Sequence, residues 1–419
     1  MKYTEIVEHL ESLGVMPRGR PSIQPTKKAL EALGLALPKP ERVIVVAGTN
    51  GKGSVCATLE ALLLSAGCSV GLYTSPHLIR TTERIRVNGR EISELRFSAA
   101  FESVRDTCHT MELSHFEWLT LMAATIFSED LLGEKTYWIL EVGMGGSFDA
   151  TNAFEHSINV VTRLGIDHEN WLGRDLLSIA RNKFGIVRAG VQVKVVTWPL
   201  NPEIEGLKKE VQDRAGCEWI EVFDRADQDE GGVVRDLGKF GRASLNLVGR
   251  RGKENTQMAL EVFNQLGFDS SQHLDSLSRV NWPGRFQKIE VEGARCPVYF
   301  SGDHNVQGIH SLIEILDAYS SRHLWILLGI GEEKASSLMF EALKSGLGQR
   351  PWSFALTKAS FKGRAFDQYD QQITRQMLFF EENSALALAR VIELAQPEDL
   401  VLVTGSLYLV GELLKRCVV

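Results

Sequence analysis

The sequence predicts an α/β protein: a P-loop, doubly wound, mostly parallel sheet followed by a second, smaller α/β domain. Three observations carry that prediction. Val43 to Ser54 reads VIVVAGTNGKGS, a buried strand, a glycine-rich turn and the first turn of a helix. Strand-like and helix-like stretches then alternate, which is the pattern of parallel strands joined by crossover helices. The alternation begins again after Asn281 to Arg285, NWPGR, where proline and glycine punctuate the chain. The expected domains are therefore residues 1–284 and 285–419, in keeping with two domains for a chain of 419 residues.

In order, residues 1–40 read as two helices around a Gly/Pro-rich bend, Gly14 to Pro25. The strand Val43–Val46 and the apolar-periodic helix Val55–Leu64 flank the glycine turn. Strands follow at Ser69–Tyr73, Tyr137–Leu140, Ile158–Val161 and Val193–Val196, with helices near Arg96–Thr107, Glu117–Phe127 and Leu176–Lys183. Phe223 to Gly241 is polar, acidic and Gly-rich and reads as a surface excursion or hairpin, before a helix near Glu254–Leu266. The second domain begins with strand Val298–Phe300 and helix Ile309–Ala318. It continues with strands Leu324–Leu328 and Phe354–Leu356, helix Ser384–Leu394, strand Leu400–Val403 and helix Leu407–Leu414. Clefts between two such domains commonly take substrates.

Composition narrows the function. A net charge of −7 argues against nucleic-acid or membrane-surface binding, so an anionic substrate must be met by local cations. No apolar run is long enough to span a bilayer, and MKYTEIVEHLESLG reads as an amphipathic helix, unlike a signal peptide. Cys56, Cys68, Cys108, Cys217, Cys296 and Cys417 lack CxxC spacing, as expected of reduced thiols in a cytoplasmic protein without a zinc site.

The glycine turn is the strongest chemical signal. Its glycines let backbone N–H groups turn inward, the helix N-terminus adds partial positive charge, and Lys52 reaches for terminal phosphates. The motif departs from GxxxxGK[ST]: Gly48 stands too close to Lys52, and Gly53 occupies the place of the Mg²⁺-binding hydroxyl. A plain strand-to-helix connection is the competing reading. TSPHL, Thr74 to Leu78, ends the second strand and brings Ser75 to the carboxyl edge where ligands gather; an ordinary Ser-Pro turn would read the same way. TTERIRVNGR then puts Arg80, Arg84, Arg86 and Arg90 in a short loop, either a solvated face or an anion site. ILEVGMGGSFDATN delivers Glu141 at a strand end, the usual place for a carboxylate that holds Mg²⁺ beside a phosphate loop. Asp167 and His168 end a third strand, where ligand and structural readings are level. Lys183 sits among Ile179, Ala180, Phe184 and Ile186; burial would be costly unless the amine is paired or modified, and snorkelling is the simpler expectation. Arg285 in the linker could reach phosphates or simply face solvent. SGDHN sets Asp303 and His304 toward a cleft, and TGSLY ends the last strand in the same manner.

Together these motifs resemble the folylpolyglutamate synthase/dihydrofolate synthase family of Mur-type ATP-dependent ligases. AGTNGKGS, TSPHL with ERI, EVGMGG with DATN, IDH with WLG, WPGR and VTGSLYLVGE follow in the family's order from about Val43 to Glu412. The resemblance implies that Thr49, Asn50, Gly51, Lys52, Gly53, Ser54, Asn255, Arg285 and Ser301 bind ATP. It implies Mg²⁺ ligation by Ser75, Glu141 and His168, with Ser75 supplying the hydroxyl that Gly53 lacks. A carbamate on Lys183 would hold a second Mg²⁺, so Lys52, Lys183, His168 and Glu141 form the catalytic set. Ser114, His115, Phe116, Glu117, Phe148, Asp149 and Ala150 match the pteroate-binding segments. Arg84, His304 and Ser406 match positions linked to the incoming glutamate. The chain departs from the family in reading SGDHNVQ for DGAHNP, NKFGI for EKAGI, Arg251-Gly252 for HQ, and Glu333, Lys334, Ala335 for DKD. Ser301 thus replaces an aspartate that contacts the nucleotide in the family, and Asp303 is near enough to stand in.

The implied reaction is activation of a pteroate or folyl γ-carboxylate by ATP to an acyl phosphate, which the amine of glutamate attacks. The second domain would close over the nucleotide to keep water out. The expected enzyme is a cytoplasmic monomer acting on dihydropteroate, a folate or both, with no nucleic-acid or membrane partner. Three rivals remain in view: a P-loop kinase or NTPase that forms no amide, a weakened paralogue that binds without turnover, and a Mur-type ligase for another carboxylate. The short N-terminal region is expected to leave no room for the extra domain that ligases of nucleotide-linked substrates use.

Overall fold

In a computed structural model the protein is described over residues 1–14, 21–131, 133–223 and 234–417. Parts of two sequence readings, 15–20 of the Gly/Pro-rich bend and 224–233 of the surface excursion, lie outside the described residues. The chain separates into two compact units, Met1–Asn246 with Gly252–Val280, and Leu247–Arg251 with Asn281–Val419.

The first unit is built on a sheet of eight described strands: β1 (Val43–Ala47), β2 (Ser69–Tyr73), β3 (Ile85–Val87), β4 (Arg90–Glu91), β5 (Thr136–Glu141), β6 (Ile158–Val161), β7 (Lys194–Thr197) and β8 (Glu218–Glu221). Their order is β4-β3-β2-β5-β1-β6-β7-β8. All pairings from β2 to β8 are parallel, and only β3 and β4 are antiparallel at the edge. Along β1, Val43, Val45 and Ala47 enter one core and Ile44 and Val46 the opposite one. A strand buried on both faces must be apolar at every position, which is why β1 reads as an unbroken run. Each such fully buried valine or isoleucine stabilises the fold by about 1.5–3 kcal/mol. One core takes helices Tyr3–Ser12, Gln24–Leu33, Glu94–Cys108 and His115–Asp130; the other takes Lys52–Ser65 and most of Gly249–Gln265. From β1 the chain runs to β2 on one side and later builds β6, β7 and β8 on the other. The carboxyl end of β1 is therefore the switch point where an open α/β sheet forms its crevice.

Two readings need correction here. The arginine-rich stretch is not a loop: Thr81–Arg84 is a short 3₁₀ turn, and Ile85–Val87 and Arg90–Glu91 form a hairpin. Asn88 and Gly89 turn it with φ of 50° and 79°, the left-handed pair that a two-residue hairpin demands. Helix Gly206–Ala215 and strand β8 had no counterpart in the sequence reading. In the last part of the excursion, β9 (Val234–Asp236) pairs antiparallel with β10 (Arg242–Ser244), which directly follows the excursion.

The second unit carries β11 (Gln287–Ile289), β12 (Val298–Ser301), β13 (Leu324–Leu328), β14 (Trp352–Lys358), β15 (Phe380–Asn383) and β16 (Leu400–Thr404). Their order is β11-β12-β16-β13-β14-β15, with only β11 antiparallel. Helices Val306–Leu316 and Ser336–Leu347 supply Ile309, Leu312, Phe340 and Leu343 to its core. The unit also takes in Leu247–Arg251, which the sequence placed in the first domain. Val248 packs against this core, and Gly249, at φ 75°, lies so close to Ile315 that any side chain would collide with it.

Candidate active site

The phosphate loop fills residues 48–51, between β1 and helix Lys52–Ser65. Gly51 caps that helix at φ 92°, and a Cβ there would strike the side-chain amide of Asn255. The loop is braced from β6: Thr162 Oγ1 donates to the Asn50 carbonyl at 2.7 Å, the Thr49 N–H to the Arg163 carbonyl at 3.2 Å, and Thr49 Oγ1 to the Gly165 carbonyl at 2.9 Å. Lys52 Nζ lies 3.3 Å from the Gly48 carbonyl oxygen, and Lys183 Nζ donates to the same oxygen at 2.8 Å. Lys183 does not snorkel: it is 4% exposed, at the end of helix Leu176–Lys183. Two amines thus converge on the loop that precedes a helix N-terminus, and the positive end of the helix favours an anion such as a phosphate there. Gly53 and Ser54 are buried in the first helical turn.

Glu141 ends β5 and lies beside Val46 of β1 in the sheet register, one strand from the loop. Its carboxylate is buried, and Oε2 accepts from the Ser75 N–H at 3.1 Å, bringing the end of β2 to the end of β5. His168 adopts φ 54° and donates its backbone N–H to Asp167 Oδ1 at 2.9 Å; its ring is partly exposed. Among the described residues no group of three His, Cys, Asp or Glu side chains is placed to hold a metal ion. The expected donors are one hydroxyl, one carboxylate and one imidazole. The hydroxyl and the carboxylate are hard oxygen donors that suit Mg²⁺, which keeps several water or phosphate ligands; the imidazole is a borderline donor.

Asp149 organises the glycine loop after β5. Its Oδ2 accepts from the N–H groups of Gly143 and Met144 at 3.0 and 3.1 Å, and its Oδ1 from Thr151 N–H and Oγ1 at 3.0 and 2.6 Å. Burial raises its pKa against the pull of those donors. Phe148 projects from this loop with half its surface exposed, while Ala150 is buried. Ser114 and Glu117 form a capping box at the start of helix His115–Asp130, and Glu117 Oε1 also accepts from Thr26 at 3.3 Å. Ser114, Glu117 and Asp149 therefore spend polar atoms on capping the helix and bracing the loop. Phe116 lies on Tyr73, ring centroids 5.5 Å apart, and fills the space beside Gly143.

Sequence reasoning gave His77 of TSPHL no role. Arg84 Nε donates to His77 Nδ1 at 2.9 Å, which fixes the proton of the neutral ring on Nε2. Burial and the Arg84 charge lower the His77 pKa to about 3, and the same two causes lower that of His115 to about 4. Its spacing, seven residues before an arginine in a strand-end motif, was the available signal.

In the second unit, Ser301 is fully buried. Its hydroxyl accepts from the Phe286 N–H at 3.1 Å and donates to Asp303 Oδ2 at 2.6 Å. Arg251 forms an ion pair with Asp303 and reaches Ser301 Oγ at 3.4 Å. Burial opposes ionisation of Asp303, but Arg251, Ser301 and Arg285 outweigh it and hold the pKa below the usual carboxylate range. Ser301 and Asp303 are thus bonded to each other and to Arg251 within the unit. The departures at 251, 301 and 303 are one interaction. His304 Nδ1 donates to the Gly302 carbonyl at 2.9 Å, Arg285 lies beside Gly302, and Ser406 Oγ accepts from the Tyr408 N–H at 3.1 Å.

Residues 284–407 match the family model of the Mur ligase glutamate ligase domain. The chain is 33% identical over 393 residues to a dihydrofolate synthase/folylpolyglutamate synthase of Escherichia coli, covering 91% of this chain and 88% of that one. It is 28% identical to a dihydrofolate synthetase of Saccharomyces cerevisiae, covering 89% and 92%. Among solved structures, the E. coli protein in complex with DHPP and ADP superposes with a TM-score of 0.83 at 28% identity, over 99% of this chain and 97% of that one. A bifunctional folylpolyglutamate synthase/dihydrofolate synthase of Yersinia pestis, complexed with AMPPNP and Mn, gives 0.83 at 26% identity over 100% and 98%.

Proposed function

The chain belongs to the dihydrofolate synthase/folylpolyglutamate synthase family, and from that premise we propose a residue-level account of an ATP-dependent ligase that adds L-glutamate to dihydropteroate, to the γ-carboxyl of a folate, or to both. The observation that carries the account is the convergence of Lys52 and Lys183 on the phosphate loop, one strand from the buried Glu141.

A carboxylate resists attack by an amine until one of its oxygens can leave. In this reading the acceptor carboxylate takes the terminal phosphoryl group of ATP, with ADP departing, and becomes an acyl phosphate. The glutamate amine then attacks the acyl carbon, phosphate leaves, and an amide remains. Lys52 and the N–H groups of residues 50–54 hold the phosphates and stabilise charge on the transferring group. Asn255 and Arg285 contact the nucleotide. Ser75, Glu141 and His168 would hold Mg²⁺, which when bound neutralises phosphate charge. A carbamate on Lys183 would hold a second ion; the amine's burial against the Gly48 carbonyl supports a role beyond solvation. Phe116, Phe148 and Ala150 line the pteroate pocket, framed by Ser114, His115, Glu117 and Asp149. Arg84, His304 and Ser406 receive glutamate. The Arg251–Asp303 pair supports retained activity despite the departure at Ser301, because the carboxylate stays ionised and ordered two residues away.

The enzyme acts as a cytoplasmic monomer in this reading. The five cysteines with described side chains are free and buried, as suits a reducing compartment, and no described helix is long and apolar enough to cross a membrane. Phosphate release from ATP and Mg²⁺, measured with and without glutamate and a pteroate acceptor, tests the function. Release independent of glutamate would instead indicate a kinase or NTPase.

A further inference from the structure

Asn255 owes its place against the phosphate loop to a brace that no motif reading singled out. Arg163 follows β6, and its backbone carbonyl accepts the Thr49 N–H. Its guanidinium grips Glu254 with two parallel bonds, Nε to Oε2 and Nη2 to Oε1, both 2.7 Å. On its other side the guanidinium lies 4.8 Å from the ring centroid of Trp198, just past β7. Glu254 is buried while Arg163 stays partly exposed. A two-bond fork fixes orientation as well as distance, which a single point charge does not. The residue after Glu254 is Asn255, whose amide sits so close to Gly51 that only glycine fits there. One residue, Arg163, thus bonds the phosphate loop through its backbone and the helix carrying Asn255 through its side chain.

We propose that Arg163 and Glu254 are positioning residues for ATP: their ion pair fixes Asn255 over Gly51 and so sets nucleotide affinity. The inference rests on the reading that Asn255 contacts the nucleotide. An exposed ion pair that served only general stability would contribute little and would not discriminate among substrates. This pair has a buried carboxylate, a stacked guanidinium and a direct route to one substrate site.

The test measures KM for ATP, glutamate and acceptor, together with ADP affinity by calorimetry, on the full chain. Arg163→Met, Arg163→Lys, Glu254→Gln, the Arg163→Met/Glu254→Gln double variant and Asn255→Ala are compared. The pair predicts a rise of about tenfold in KM for ATP for either single variant, within the range of coupled neighbouring residues. The KM values for glutamate and acceptor should stay within about twofold, and the double variant should be no worse than the worse single one. Arg163→Lys, which keeps the charge and loses the fork, should fall between wild type and Arg163→Met, and it carries the test if Arg163→Met does not fold. An unchanged ATP KM in folded Arg163 variants, with Asn255→Ala impaired, overturns the brace alone. An unchanged ATP KM in Asn255→Ala overturns the nucleotide role of Asn255 and the brace with it. A uniform rise in all three KM values also refutes the proposal.

Discussion

Replacing Asp149 with alanine should show how much of the glycine loop after β5 one carboxylate holds. Four donors meet it: the N–H groups of Gly143, Met144 and Thr151, and the Thr151 hydroxyl. A hydrogen bond to a charged group nets about 1.5–3 kcal/mol, so four would total about 6 kcal/mol or more. Burial of the charge offsets part of this, as the raised pKa of Asp149 shows. Some freed donors would also find water once the loop relaxes. The expected loss for Asp149→Ala is therefore about 3–4 kcal/mol, within the large-effect tail for broken buried networks. Asp149→Asn should cost less, because one amide oxygen can keep either the Gly143/Met144 pair or the Thr151 pair, though not both. Urea unfolding gives the stability change, and acceptor KM reports the loop that carries Phe148. KM for the acceptor should rise more than KM for ATP in both variants. A loss below about 1 kcal/mol for Asp149→Ala, the worth of one ordinary hydrogen bond, would refute the reasoning.

Other consequences are more local. Gly51→Ala would place a β-carbon at φ 92° and against Asn255; with a strain of about 1–2 kcal/mol, it should raise KM for ATP and leave KM for glutamate unchanged. Lys52→Met should lower kcat by about 10²–10³, the usual cost of removing one preorganised charge-stabilising group, while the protein still unfolds at the wild-type urea concentration. His77 and His115 have folded pKa values of about 3 and about 4, below the ordinary histidine value. Their unfolded forms therefore bind protons first as pH falls. Their contribution is full above about pH 6.5, declines below it and is lost by about pH 3 to 4. Replacing both with Gln should flatten stability against pH across that window, and denaturation midpoints from pH 4 to 7 would measure it.

The architecture was legible where burial leaves a periodic trace. β1, β2, β5 and β6 are largely apolar and buried, and helices lie between β1 and β2 and between the hairpin and β5, so strand after strand could be placed. The Ile85–Glu91 hairpin escaped because its arginines drew attention as charges. The Asn88-Gly89 turn was in plain view, and it is what decides the backbone there. Helix Gly206–Ala215 has a largely polar face and only Leu207, Val211 and Ala215 buried, too sparse a stripe to stand out. β15 and β8 are edge strands with mixed sequences and little burial. At the site, Gly-Lys spacing marked the loop, but the burial of Lys183 depended on a carbonyl 135 residues away. The same holds for Arg251 with Asp303 and Arg163 with Glu254, pairs that sequence separation hides. Ser301 reads in the sequence as a lost carboxylate; the structure bonds it to Asp303 and Arg251.

The most direct test of the central claim is phosphate release by the purified protein with ATP and Mg²⁺, supplying or omitting glutamate and offering dihydropteroate or tetrahydrofolate as acceptor. The account predicts release that requires both glutamate and an acceptor, one phosphate for each amide formed. Release that proceeds at full rate without glutamate would contradict it.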